Sequence, residues 1–534
     1  MPPDPAADRW LLTLRERGNP HTALNRDADG APWSAGNLVR PLVHGATYFA
    51  RLYEELRELG AGDRICFTDW RGDADQKLRA DGPTVREILC GLARRGVDIR
   101  GLLWRSHSDR LSFSAQQNQR LGTELNEAGG EALLDQRVRH FGSHHQKLFT
   151  IGHGDDSGRN VAFVGGIDLC HGRRDDATHT GDPQQQPMDE RYGPRAPWHD
   201  AALELRGPVV ADLVESFAER WDDPRPLDHR TPYRMAVQRM AHMPRHPKPL
   251  PQRLPPPPQA GPHAVQVLRT YGRHGYPFAP DGERSIARAY NKAFELATSL
   301  IYVEDQYLWS RPVAASLAKA LARSPRLRVI AVVPRYPDAD GRFTGPLNRI
   351  GQIEAMQVLD GFGSDRVAIY DLSNEQDVPI YVHAKICIVD DVWMTCGSDN
   401  FNRRSWSNDS EITCAVVDSE PDLREPRALD AFGDGARRLP RQLRLDLWSE
   451  HLAVPAEDPR LLDPVRGFDL WRERAAALDA WRVAGSRGPR PPGRARPHRP
   501  DPVSRGMRLV TGPVQRLVAD PDGRRWRDRM ANRF

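Results

Sequence analysis

The chain has 534 residues, 39% hydrophobic and 28% charged, with a net charge of +4 at pH 7 and a mean hydropathy of −0.63. That length suits two domains or one large duplicated one, and the composition suits a core-forming chain rather than a disordered or fibrous one. The mild charge gives no argument for a nucleic-acid partner, and no apolar run approaches the roughly 20 residues of a membrane span.

Residues 1–42 are polar and turn-rich and read as an N-terminal extension. They lack a basic start followed by an apolar run, so no signal peptide is expected and the compartment is expected to be the cytoplasm. Thr47–Leu59 places Phe49, Leu52, Tyr53, Leu56 and Leu59 on one helical face, and Gly60 is a natural stop. Arg64–Asp69 is strand-like. Thr84 and Glu87 form a capping-box spacing that opens a helix to about Arg95, closed by Gly96. Strands follow at Val97–Trp104, at His145 and at Asn160–Gly166. Trp198-His199-Asp200 leads into a strand through Leu205, and a helix covers Val209–Trp221. Pro244–Pro262 holds nine prolines, a composition that favours extended geometry and bars the segment from a sheet interior.

The second half replays the same order. A helix near Arg284–Thr298 precedes a strand at Leu300–Val303, followed by Glu304, Gln306 and Tyr307. Helix Val313–Arg323, strand Leu327–Val333, helix Pro346–Leu359 and strands at Arg366–Tyr370, His383–Val389, Val392–Cys396 and Ile412–Val417 complete it. The pattern predicts an α/β fold of two similar halves, an internal duplication in which each half is a mixed sheet flanked by helices, with the active site at their interface. The halves are expected at 43–243 and 263–484, with 244–262 as the linker. Residues 485–508 carry seven Arg against one Asp and read as a disordered Arg/Pro-rich linker, and 509–534 as a C-terminal tail. The six cysteines have no zinc-site spacing and read as buried thiols.

Two segments carry chemistry. Phe141–Asp168 holds His145 and Lys147, then Gly165, Gly166 and Asp168; Tyr381–Glu411 holds His383, Lys385 and Asp390, then Gly397, Ser398 and Asn400. If each His-x-Lys lies on a strand, its imidazole and ammonium share a face. That pairing suits a phosphate: lysine supplies fixed positive charge, and a neutral imidazole attacks or moves a proton near pH 7. Asp390 lies an odd number of residues from His383 and reads as a structural anchor behind the site. Trp198 and His199 read equally as a core pair or as site residues. Asp155 and Asp156 read as turn formers.

The duplicated motif resembles the phospholipase D superfamily, over roughly Val43 to Gly467. AFVGGIDLCHGRRD after the first motif, PWHD at Pro197–Asp200 and YVEDQYL at Tyr302–Leu308 look like the enzymes of that family that act on glycerophospholipids. The resemblance implies that His145 attacks phosphorus and forms a phosphohistidine, while His383 protonates the leaving alcohol and then activates water or an acceptor alcohol. Lys147, Lys385 and Asn400 would stabilise the phosphoryl oxygens, with Ser398, Gly166, Asp168 and Gln306 as candidate substrate-binding residues. Glu411 matches the carboxylate that holds His145, with Asp409 next; Asp168 or Asp175 would serve His383. No cofactor is expected, Ca2+ entering only as an aid to surface binding. The expected partner is a phospholipid membrane surface, met by a monomer peripheral to the membrane. Alternatives are a cardiolipin synthase-like phosphatidyl transferase, a nucleic-acid phosphodiesterase and a lipid-binding pseudoenzyme. The last arises because Gly152 stands where the first motif would carry Asp; by strand parity that position faces away from substrate. His171, where many relatives have Asp, is a smaller departure.

Overall fold

The computed structural model describes residues 5–24, 31–105, 115–139, 141–227, 236, 244–251, 253–338 and 344–534. The first half contains β1 (Ser34–Val43), β2 (Arg64–Asp69), β3 (Asp98–Trp104), β4 (Glu131–Asp135), β5 (Leu148–Gly152), β6 (Val161–Gly165), the two-residue β7 (Trp198–His199) and β8 (Ala201–Arg206). Its sheet runs β1-β8-β6-β5-β2-β3-β4, parallel across β2–β3–β4 and antiparallel elsewhere. The second half contains β9 (His263–Tyr271), β10 (Glu283–Arg284), β11 (Leu300–Glu304), β12 (Arg328–Val332), β13 (Val367–Ser373), β14 (Pro379–Val382), β15 (Ile386–Val389), β16 (Trp393–Gly397), β17 (Glu411–Asp418) and β18 (Ala495–Pro497). Its sheet runs β9-β17-β16-β15-β11-β12-β13-β18, parallel across β11–β12–β13. The two sheets therefore repeat one topology, as the order of elements predicts.

The central strands β2, β6, β11, β15 and β16 are buried along nearly their whole length, as expected of sheets covered on both sides. Cys66, Leu133, Val164 and Leu203 of the first sheet meet Ile386, Ile388, Cys396 and Val416 of the second in one core, closed by Phe217, Trp448 and Trp471 from three helices. The outer face of the first sheet is covered by helices Gly45–Arg57, Val85–Arg94 and Ala115–Glu127, through Phe49, Leu89 and Leu121 among others. The outer face of the second is covered by Ser285–Leu296 and Arg311–Arg323, through Ile286, Phe294 and Leu317. The capping box is present: Thr84 Oγ1 accepts from Glu87 N, and the Glu87 carboxylate accepts from Thr84 N at 2.8 Å. All six cysteines are buried and free.

Several expectations need correction. The 1–42 segment is not a loose extension: Trp10, Leu11 and Leu12 pack into the outer core of the second half, and Leu12 N donates to Gln266 at 2.9 Å. Its later part, β1, pairs with β8 and then with β9 at Ser34–Val265 and Asn37–His263, joining the two sheets. The 485–508 stretch is not disordered throughout: β18 adds an edge strand to β13, and His498 is buried with Nδ1 3.0 Å from Asp371. An unpaired sheet edge in reach supplies the backbone partners that its composition could not announce. The tail beyond it forms helices Arg505–Val514 and Trp526–Met530, and Asp520 accepts from Arg404 N at 2.8 Å. The connector 244–262 has no helix or strand among its described residues; Leu254 lies over Gly152 and Ala260 N donates to Gly36 O. Parts of the expected extension (1–4, 25–30) and of the first half (228–243 apart from 236) lie outside the described residues.

The last correction bears on the site. His145–Lys147 and His383–Lys385 are not on regular strands; they lie just before β5 and between β14 and β15. At both places the backbone leaves its own sheet and pairs with the other half. His145 N donates to Ser410 O at 2.8 Å, and His383 N to His199 O at 2.7 Å.

Candidate active site

The two crossings bring each histidine to a carboxylate of the opposite half. His145 Nδ1 lies 3.1 and 3.0 Å from the two carboxylate oxygens of Glu411, the first residue of β17. His383 Nδ1 lies 2.7 Å from Oδ2 of Asp200, which immediately precedes β8. The registers make these carboxylates equivalent: Gly165 pairs with Ala202 as Gly397 pairs with Thr413, so Asp200 stands to β8 as Glu411 stands at the head of β17. A carboxylate on Nδ1–H fixes the tautomer and leaves Nε2 with its lone pair. Neither half completes its own histidine.

The supports differ between copies. Glu411 accepts from Ser398 Oγ at 2.6 Å and from Ser405 Oγ at 2.7 Å. The residue equivalent to Ser398 is Gly166, where a Cβ would lie 2.2 Å from Asp200 Oδ1 and 3.1 Å from the His383 carbonyl oxygen. Only glycine leaves room for Asp200 to reach His383. Asp200 accepts instead from Ala201 N at 2.9 Å and Trp198 Nε1 at 3.3 Å.

Both lysines are buried. Lys147 Nζ donates to the His145 carbonyl at 3.1 Å and lies 3.3 Å from Asp168 Oδ1. Lys385 Nζ donates to the His383 carbonyl and lies 3.5 Å from Gln306 Oε1. Where Asp168 stands in the first half, Asn400 stands in the second, buried and with its amide oxygen unpartnered among the described residues. Burial, then the charges of Lys147 and Lys385, hold His145 well below its usual 6.5. Burial, then Lys385, Arg173 and Lys147, do the same to His383. Cations of both halves thus act on each imidazole. Burial pulls Lys385 itself down to about 8. Burial also pushes up Asp200, opposed by Lys385 and Arg173. His145 keeps 16% of its side chain exposed and His383 keeps 6%, so the site opens on the His145 side.

Of the expected residues, His145, Lys147, His383, Lys385 and Glu411 converge here, and Asn400 keeps the position in the second half that Asp168 has in the first. Ser398, expected at substrate, spends its hydroxyl on Glu411, and Gly166 underlies Asp200. Asp168 is the buried partner of Lys147 and accepts from Trp70 N at 3.3 Å. Gln306 donates to Tyr381 Oη at 2.7 Å beside Lys385. Neither Asp168 nor Asp175 holds His383: Asp175 accepts from Trp198 N and Gly181 N, bracing a loop. Asp390 is the anchor expected, accepting from Thr298, Ser299 and Leu300 backbone N–H groups, but it does so from a turn with φ +49°, not from a strand face.

No spacing pointed to Asp200, since 34 residues separate it from Gly166 where 13 separate Glu411 from Ser398. Arg173 carried no spacing signal: its guanidinium lies 3.9 Å over the Trp198 ring, and Trp198 packs against His383 at 5.0 Å. Trp198 is therefore a site residue and His199 a buried one. His171 stands aside, 3.1 Å from Asp75.

The Phospholipase D family model matches residues 74–244, and the model described as Cardiolipin synthase, PLD-like domain, matches residues 290–425. Phospholipase D alpha 2 of Oryza sativa subsp. japonica is 25% identical over a 545-residue alignment, and Phospholipase D alpha 1 of Vigna unguiculata is 26% identical over 552. Each alignment covers 78% of this chain and 65% of the plant protein, so the chain spans somewhat under two thirds of those relatives. Among solved structures, phosphatidylserine synthase from Haemophilus influenzae Rd KW20 aligns with a TM-score of 0.49 at 16% identity, covering 72% of this chain and 84% of that one.

Proposed function

We propose that this chain, which belongs to the phospholipase D superfamily, is a phospholipase D that cleaves glycerophospholipids to phosphatidate and a free alcohol. The observation that carries the reading is the reciprocal pairing: His145 on Glu411 and His383 on Asp200, with Lys147 and Lys385 between. Nε2 of His145 attacks phosphorus, and the P–O bond to the headgroup breaks as His383 gives its proton to the leaving oxygen. His383, then neutral, takes a proton from water; the water oxygen attacks phosphorus and the P–N bond breaks, freeing His145 and phosphatidate. Replacing water by an alcohol gives transfer instead. Arg173 adds a third positive charge against His383, the setting of a stronger acid, which supports giving His383 the proton-donor role. The phosphodiester anion offsets those cations on binding and favours the imidazolium. Lys147, Lys385 and Asn400 face the phosphoryl oxygens and supply the stabilisation a metal would otherwise give, so the reacting centre uses no metal; Ca2+ would serve only at the membrane surface.

The protein meets phospholipid from the aqueous side, as a monomer. Among the described residues no helix is long and apolar enough to cross a membrane. A second reading, a phosphatidyl transferase of the cardiolipin synthase kind, is favoured by the description of the domain matched at 290–425. Incubating the protein with mixed phospholipid vesicles and ethanol, then analysing the lipids, tests both. Phosphatidate with phosphatidylethanol is expected; cardiolipin as main product selects the second reading. No turnover of vesicles or of short-chain phospholipid by the folded protein would leave a lipid-binding pseudoenzyme.

A further inference from the structure

Behind the His383–Asp200 pair lies a second cluster of titratable side chains that the proposed reaction does not use. His44 (ahead of helix Gly45–Arg57), His179 and His199 come from the first half; Glu304, Glu450 and His451 come from the second. Glu450 lies 2.8 Å from His44 Nε2 and 2.9 Å from His179 Nε2, and accepts from Arg494 at 2.9 Å. Glu304 lies 2.7 Å from His199 Nε2 and 2.8 Å from His451 Nε2, and accepts from Tyr302 Oη at 2.6 Å. The carboxylates are thus satisfied, but the imidazoles are not. Nδ1 of His44, of His199 and of His451 is buried without a partner among the described residues. A buried polar atom left unpaired is costly, and a ligand taken at His199 Nδ1 would relieve one of the three.

We propose that His44, His179, His199 and Glu450 bind a divalent transition-metal ion, zinc by the chemistry of the donor set. Their four donor atoms already lie within 4.8 Å of one another. Tetrahedral zinc with bonds of about 2.0–2.1 Å sets its ligands roughly 3.4 Å apart. The ion therefore enters by parting the two imidazole–Glu450 contacts by about half an ångström and drawing His199 in. Three imidazole nitrogens and one carboxylate suit zinc, whereas Ca2+ and Mg2+ take oxygen ligands. The imidazoles are also braced as metal-bound ones are. His179 Nδ1 lies 3.0 Å from the Trp198 carbonyl oxygen, and His199 Nε2 is held by Glu304, which leaves its unpartnered Nδ1 for the ion. The ligands end as neutral imidazoles and a carboxylate, so the proton that each of His44 and His179 holds on Nε2 against Glu450 must move to Nδ1 or leave to solvent as the ion binds.

The ion is a brace, not a reactant. His199 sits between Trp198, which packs on His383, and Asp200, which holds it. Fixing His199 fixes that strand, and Glu450 ties it to helix Arg438–Leu452 of the other half.

The test uses the full chain without an affinity tag that binds metal. Elemental analysis of the purified protein should give one equivalent of zinc per chain, and Co2+ added to the stripped protein should show the visible band of a four-coordinate site. Stripping should lower Tm, and zinc should restore it. His179→Gln and Glu450→Gln should each weaken Co2+ binding at least about tenfold, while His451→Gln, outside the ligand set, should still reach one equivalent at saturation. Folded wild-type protein that holds no metal and gives no Co2+ band would overturn the proposal, whether or not the variants fold. Loss in His451→Gln with retention in His179→Gln would place the ion on Glu304 and overturn the ligand set.

Discussion

His145 and His383 are poised by groups that come from the far half of the chain, so at the scale of single residues the carboxylates are as informative as the histidines. Glu411→Gln and Asp200→Asn remove the negative charge and place an amide that can turn either its oxygen or its N–H to Nδ1, so each tautomer is no longer fixed while shape is nearly unchanged. Each should lower kcat by about 10²- to 10⁴-fold with KM little altered. Full activity in either variant would show that the pairing is only structural. His145→Ala and His383→Ala should abolish turnover, and a nitrophenolate leaving group, which needs no proton, should partly rescue only the second. The charges also set a pH profile. Attack needs neutral His145, and burial with Lys147 and Lys385 places its protonation well below 6.5, so the acid limb of kcat/KM lies below that value. His383 must carry a proton when the headgroup leaves, and burial with Lys385, Arg173 and Lys147 holds it too well below 6.5 in the free protein, so the alkaline limb of kcat/KM also lies below that value, ahead of Lys385 at about 8. An alkaline limb at about 8 or above on a soluble substrate would contradict this. Stability has the opposite dependence on acid from that of a salt-bridged histidine. The unfolded chain binds protons at these two histidines below 6.5 while the fold keeps them neutral, so their contribution is lost as pH falls through that value.

At the scale of elements, the two copies anchor their central hairpins in opposite directions. In the second half, Asp390 in the β15–β16 turn accepts from three backbone N–H groups entering β11. In the first half Gly152 occupies that place, and Asp63, ahead of β2, reaches the other way to accept from Gly154 N at 3.0 Å and Gly60 N at 2.9 Å. The tie survives with its carboxylate moved to the facing segment, so Gly152 is no sign of decay. Asp63→Ala should cost about 0.5–1.5 kcal/mol by removing two part-buried hydrogen bonds, and Asp390→Ala more. A Cβ at Gly152 would lie 2.6 Å from Leu254 Cδ1 of the Pro-rich connector. Gly152→Asp should therefore displace that side chain and lower Tm modestly, with turnover per folded molecule within a few-fold. A large gain of activity in Gly152→Asp would mean instead that the first copy had lost a working residue.

Over the whole molecule, the chain laces its halves together at more places than the site. The N-terminal helix packs on the second half while β1, next along the chain, edges the first sheet. Trp10 is fully buried there, with Nε1 donating to Asp434 at 2.9 Å. Trp10→Ala should destabilise the protein by about 3–5 kcal/mol, read from chemical denaturation. A change near zero would mean the N-terminal segment is held only loosely. The same lacing makes each half supply a carboxylate, a backbone acceptor and positive charge to the other's histidine. Duplication alone would have given two incomplete sites.

The sequence by itself determined the repeat, the α/β layers and the two His-x-Lys pairs, because each follows from local spacing, apolar period or matching position in two copies, while Glu411 as the partner of His145 came only from the family resemblance. Only the tertiary structure decided that Asp200 holds His383, 183 residues away, and that Ser398 supports Glu411 rather than substrate. It also decided that both His-x-Lys segments break from their strands to pair across the interface, and that Trp10 and β18 belong to the second half. The reason is the same in each case. Which buried polar group or sheet edge stands within hydrogen-bond reach depends on how distant elements pack, and neighbours in sequence carry no trace of that distance.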